Sequence, residues 1–76
     1  MPYRAVMNGN EFIKRAKRYG RARSLAVEYE GRKGKGSHGR LYVGKNFTTM
    51  KDPRKEIGPG LFAAMLRQLK IDPEEF

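Results

Sequence analysis

Cysteine is absent, histidine occurs once, and 8 Asp and Glu side chains face 17 Lys and Arg. Without thiols there is neither a disulfide framework nor a thiolate zinc site, which removes the small secreted scaffolds and suits a reducing cytosol. A single histidine and no clustered acids leave too few ligands for a transition-metal or two-metal centre, so neither metal nor cofactor is expected. No apolar run approaches the ~18 residues of a membrane span, and residues 1–10 lack the unbroken apolar stretch of a signal peptide. A cytoplasmic protein with no membrane attachment is the expectation. At 76 residues the chain is one domain. A domain of this size buries only about 60% of its unfolded surface, so its core is thin and its stability marginal.

The scarcity of acids is uneven. Residues 1–55 carry 15 basic and 4 acidic side chains, a balance of +11, whereas residues 56–76 carry 2 and 4, a balance of −2. Between positions 31 and 51 six Lys/Arg occur with no acid. Such a field favours a polyanion, and nucleic acid is the commonest one in a cytosol. An acidic protein or anionic lipid would satisfy the same charge.

Asn8-Gly-Asn-Glu11 reads as a helix start, with Asn8 capping free N–H groups and Glu11 reaching back in a capping box. Phe12, Ile13, Ala16 and Tyr19 follow at helical period, and Lys14, Arg15, Lys17 and Arg18 fill the remaining faces. Gly20 then suits a left-handed cap, so the spacing predicts a helix over about 9–19. Residues 24–30 alternate, Leu25, Val27 and Tyr29 on one face and Ala26, Glu28 and Glu30 on the other, as a half-buried strand does. A glycine-rich basic loop follows. Residues 40–43 form a second strand with Leu41 and Val43 inward, Gly44-Lys-Asn46 a turn, and residues 47–50 a third strand, all antiparallel. After a polar connection, Gly58-Pro-Gly60 opens a second helix that runs to about Lys70. Residues 71–76 look like a fresh cap and the start of a further helix. The fold class expected is therefore α+β, an α-β-β-β-α two-layer sandwich with both helices on one sheet face and the other face open.

Parity along the second strand puts His38, Arg40 and Tyr42 together on that open face, unless a bulge at Gly36 or Gly39 intervenes. Gly34-Lys-Gly-Ser-His-Gly39 matches G-x-G-x-x-G literally, but a strand and not a helix follows, so it is no dinucleotide fingerprint. Its glycines still allow backbone N–H groups to approach a phosphate, though an ordinary hairpin loop reads the same way. Ser37 beside His38 does not make a nucleophile pair, since strand neighbours point to opposite faces and no oriented carboxylate accompanies them. Cations near His38 favour its neutral, proton-accepting form. Arg32, Lys33, Lys35, Arg40, Lys45, Lys51, Arg54 and Lys55 are candidate phosphate contacts. Tyr42 is a candidate for base stacking or proton donation, or simply a packed strand residue. The second helix is apolar on nearly every side between Leu61 and Leu66, more than one core stripe requires.

These residues resemble a known family, the HicA toxins of bacterial toxin–antitoxin pairs. The likeness runs from Met7-Asn-Gly-Asn-Glu-Phe-Ile13 through Gly36-Ser-His38 to Lys55-Glu-Ile57, Gly60-Leu61, Leu66-Arg-Gln68 and the ending Ile71-Asp-Pro-Glu-Glu-Phe76. It covers nearly the whole chain beyond a six-residue leader, and residues 1–76 are expected to form a single HicA-like domain, with 1–6 the leader and 71–76 a truncated terminal helix start. The resemblance implies a double-stranded-RNA-binding-like fold, a ribonuclease that cuts messenger RNA without metal, and restraint by a cognate HicB-like antitoxin. The family's essential histidine falls on His38. Many relatives carry His-His where this chain has His38-Gly39, and often a further histidine after the third strand, where this chain reads Met50-Lys-Asp-Pro53. A two-histidine acid–base mechanism is therefore unavailable within one chain.

His38 as acid or base, Lys35 and Arg40 as charge stabilisers and Lys51, Arg54, Lys55 and the helix start near Gly60 as phosphate holders make up the expected site. Lys33 and Lys45 extend the same basic surface. The rival expectations are a non-catalytic RNA-binding module, which explains charge and fold equally well, and an adaptor whose basic face docks acidic protein.

Overall fold

A computed structural model describes residues 7–31, 39–50 and 52–76. Strand β1 (Met7–Asn8) leads directly into helix α1 (Gly9–Arg23). The capping box forms as its residues predict: the Asn8 side chain accepts from the Glu11 backbone N–H at 2.9 Å, and the Glu11 carboxylate accepts from the Asn8 N–H at 3.2 Å. Strands β2 (Val27–Glu30), β3 (Gly39–Val43) and β4 (Asn46–Met50) make one antiparallel sheet in the order β2-β3-β4. A tight turn joins β3 to β4, with Gly44 at φ 63°. Strand β5 (Glu56–Ile57) pairs with β1, and helix α2 (Pro59–Leu69) follows, then a 3₁₀ turn (Pro73–Glu75) capped by the Asp72 side chain. The protein is α+β and keeps the α-β-β-β-α order, with the two-residue β1–β5 ribbon as an addition.

Alternation decides which sheet face is buried. Leu41, Val43, Thr48 and Met50 point inward and meet Phe12 and Ala16 of α1 and Phe62, Met65, Leu66 and Leu69 of α2. Asn46 at the same face donates to the Leu69 carbonyl at 3.3 Å, satisfying an end group of α2, and Thr48 hydrogen-bonds Gln68. Both helices thus cover one face. The other carries Glu28, Glu30, Arg40, Tyr42, Phe47 and Thr49, held in cross-strand register.

Two sequence expectations need correction. Gly20 does not end α1. It lies inside the helix, buried, and the left-handed cap is Ser24 at φ 58°. The glycine is there for proximity: a Cβ at position 20 would sit 2.4 Å from Val27 Cγ2 and 2.7 Å from the Leu25 carbonyl oxygen. Because the helix runs on to Arg23, Leu25 falls in the turn before β2 and is 40% exposed, outside the inward row expected for it. Gly20→Ala therefore tests packing against propensity. Helix propensity alone favours alanine by about 1 kcal/mol. Overpacking against a backbone oxygen costs roughly 1–3 kcal/mol. The expected outcome in urea denaturation is net destabilisation; a rise in the midpoint would show that α1 and β2 separate easily.

Candidate nucleic-acid interface

Strand β3 begins at Gly39, which pairs with Met50 in regular register, so no bulge interrupts parity there. Gly39 is buried, and a Cβ there would meet the Tyr29 hydroxyl at 2.5 Å and the Glu30 carbonyl oxygen at 2.7 Å, so the position has no room for a side chain. Arg40 is consequently turned outward and exposed, and Tyr42 follows it on the same face, half-buried. His38, Arg32, Lys33, Lys35 and Lys51 lie outside the described residues.

The face that holds Arg40 and Tyr42 is mixed in charge, not uniformly basic as expected. Glu30 stands opposite Arg40 and Glu28 opposite Tyr42. The alternation of residues 24–30 already contained both carboxylates; the count of Lys and Arg between 31 and 51 ignored the strand that pairs with them. The Arg40 guanidinium lies over the Phe47 ring, 4.8 Å from its centroid.

One end of the molecule gathers the start of β3, the end of β4, the segment 52–55 and the first turn of α1. There the Gly9 N–H donates to the Lys55 carbonyl at 3.1 Å and the Asn10 N–H to the Pro53 carbonyl at 2.8 Å. Arg54 and Lys55 are both exposed at this end. Asp52 accepts from the Arg54 N–H at 2.9 Å and from its Nε at 3.4 Å. The backbone N–H first, then the guanidinium, hold the Asp52 carboxyl below its ordinary 3.8. A carboxyl depressed by folding favours the fold above its unfolded value and loses that contribution as pH falls through its folded value. At any pH near neutrality the segment 52–55 therefore keeps this tie. Lys45 is not part of the group: it sits in the β3–β4 turn, at the far end of about 13 Å of strand. The N-terminus of α2 is close in sequence to Lys55, and its cap residue Gly58 supplies no side-chain hydrogen bond.

Sequence reasoning passed over a further cationic surface. On α1, Lys14, Lys17, Arg18 and Arg21 are exposed along one side at spacings of three, four and seven, a stripe about 10 Å long. Arg15 and Arg23 face the chain end instead. Arg15 lies over Phe76 and donates to its carbonyl at 2.9 Å, and Arg23 covers Tyr19 and pairs with Glu75 at 2.9 Å. The signal was available, because a helical projection of residues 14–23 separates these two groups. Lys14, Arg15 and Arg18 line a groove with Met7 and Glu11, next to the 52–55 end. Among the described residues no group of three or more His, Cys, Asp or Glu side chains converges, and no helix is long and apolar enough to cross a membrane. No protein-family model matches this chain, and neither a curated protein nor a solved structure matches it.

Proposed function

We propose that this chain is a metal-independent endoribonuclease that cuts messenger RNA, acting in the cytoplasm as the toxin of a HicA-like toxin–antitoxin pair. One observation carries the reading. Strand β3 starts on the residue after the only histidine, and turns Arg40 outward at the end where Arg54 and Lys55 are exposed, with Tyr42 further along the same face. RNA supplies its own nucleophile. A deprotonated 2′-OH attacks the adjacent phosphorus, the bond to the 5′ oxygen breaks, and the products are a 2′,3′-cyclic phosphate and a 5′-OH. His38 takes the 2′ proton or delivers one to the leaving oxygen, and Tyr42 or a lysine serves the other transfer. Lys35 and Arg40 stabilise the charge that builds at phosphorus. Lys33, Lys51, Arg54 and Lys55 hold flanking phosphates, and the α1 stripe supplies long-range attraction.

The deciding experiment is prolonged incubation of a labelled transcript with the purified protein in EDTA, with analysis of the ends. Cyclic phosphate and 5′-OH ends support the proposal. Binding without cutting assigns the chain to the non-catalytic RNA-binding class. Ends bearing 3′-hydroxyl, or activity abolished by EDTA, assign the cut to metal-assisted hydrolysis. Co-expression with the adjacent reading frame tests restraint by a HicB-like antitoxin, through rescue of growth and recovery of a bound partner.

The stripe makes its own prediction. Replacing Lys14, Arg18 and Arg21 together by glutamine lowers the slope of log affinity against log salt by about 2 for single-stranded RNA, at ~0.7 for each phosphate no longer neutralised. Each site is exposed, so thermal stability stays nearly unchanged. An unaltered slope, measured by fluorescence anisotropy between 50 and ~200 mM salt, would exclude the stripe from the interface.

A further inference from the structure

The open face of the sheet displays a pair of aromatic rings whose faces the proposed chemistry does not use, since it draws at most on the Tyr42 hydroxyl. Tyr42 on β3 and Phe47 on β4 stand opposite each other in register, ring centroids 5.7 Å apart and tilted by 47°. Phe47 is 44% exposed, and the Arg40 guanidinium lies over its ring. A cross-strand pair explains why the rings touch. It does not explain a phenyl group left open to water among Glu28, Glu30, Arg40 and Thr49, where a polar β-former such as Thr49 would complete the strand.

We infer that Tyr42 and Phe47 form a stacking platform for an unpaired nucleobase, so that this face selects single-stranded over double-stranded RNA. The inference rests on the RNA reading above and adds a subsite to it. Every base has a π-face, so stacking on an aromatic side chain is strong and tolerant of sequence. In a duplex those faces are covered by neighbouring bases, and a flat ring on a sheet gains nothing from them. Charge sets the orientation. Glu28, exposed on the β2 edge, repels phosphate, so the backbone of the bound strand runs on the β4 side, toward Arg54 and Lys55. Glu28, exposed and directly across from Tyr42, is placed to accept from an exocyclic amino group of the stacked base. Arg40, which extends the stack and carries positive charge, reaches between ring and phosphate.

The absence of tryptophan makes the test clean, since Phe47→Trp introduces a single indole at the platform. The probe is a 2′-O-methyl oligonucleotide of about 12 nucleotides, well within known single-strand site sizes and unable to supply a 2′ nucleophile. Its binding is expected to quench the indole at the concentrations where anisotropy reports association. Heparin, a polyanion without bases, binds without quenching. Phe47→Ala, whose partly exposed ring lies outside the core, is expected to lose roughly five- to thirtyfold in affinity for the single strand. Affinity for a duplex of the same length stays unchanged, and Phe47→Tyr retains full affinity. If the unmodified protein binds the oligonucleotide while Phe47→Ala binds it equally well, or the indole is not quenched, the platform is overturned and the RNA reading stands. An equal loss toward single strand, duplex and heparin overturns it too, because only a general structural change acts that way. If the unmodified protein binds none of the three, both readings fall.

Discussion

His38→Ala is expected to lower the rate of transcript cleavage by about a hundredfold or more, with RNA affinity held within roughly twofold. A positioned acid or base contributes about 10²–10⁴ in rate, or some 3–5 kcal/mol of barrier. Affinity has a different origin. It comes from counterions released as Lys and Arg meet phosphates, and the imidazole is one side chain beside 17 such cations. The two measurements should therefore separate in this variant, a lowered single-turnover rate beside an unchanged binding curve. Arg40→Gln should behave otherwise. Its exposed guanidinium bears on both ground-state binding and the charged transition state, so rate and affinity fall together. Cleavage that survives His38→Ala undiminished would remove the histidine from the reaction.

Where local chemistry decides structure, the chain was readable in advance. Asn8 and Glu11 fix the start of α1 because their side chains and backbone satisfy each other within four residues. Leu41 and Val43 declare the inward face of β3 because a strand alternates. The misreading of Gly20 has a physical reason: a glycine required for close approach across the fold looks the same as one required for a left-handed cap. The β1–β5 ribbon was invisible because two residues are too short for any period, and what orders them is a non-local pairing of Met7 with Ile57. For the candidate site, parity placed Arg40 and Tyr42 correctly on the open face. The acidic side of that face and the α1 stripe needed the pairing of β2 with β3 and a helical projection, which a count of charges along the chain does not contain. The role given to His38 comes from its chemistry and from a resemblance, not from packing.

Phe12→Ala is expected to be the most destabilising single truncation. Its ring is fully buried, edge-on to Phe62 at 5.9 Å and tilted against Phe76 at 4.8 Å, while Phe62 and Phe76 lie 5.9 Å apart. These three rings join α1, α2 and the chain end, which share no backbone ladder. Removing a buried phenyl costs about 3–5 kcal/mol through lost transfer energy and the cavity left behind. The stability of a 76-residue domain is roughly 4–11 kcal/mol, so one substitution cancels about a quarter of it or more. In thermal unfolding the midpoint should fall by well over 10 °C, at about 4–8 °C per kcal/mol. Phe12→Leu, which keeps most of the volume, should cost less than about 1.5 kcal/mol. Leu61→Ala, at a side chain 54% exposed, should change stability by no more than about 0.5 kcal/mol. A double-mutant cycle with Phe76→Ala isolates the contribution of the chain end, since both rings border the same space. A coupling near zero would mean that Phe76 merely covers the core and that α1 and α2 close on each other without it. A coupling of about 1 kcal/mol or more would make the 3₁₀ turn that carries Phe76 part of the folding unit, held there by Arg15 and Arg23 as well as by the rings.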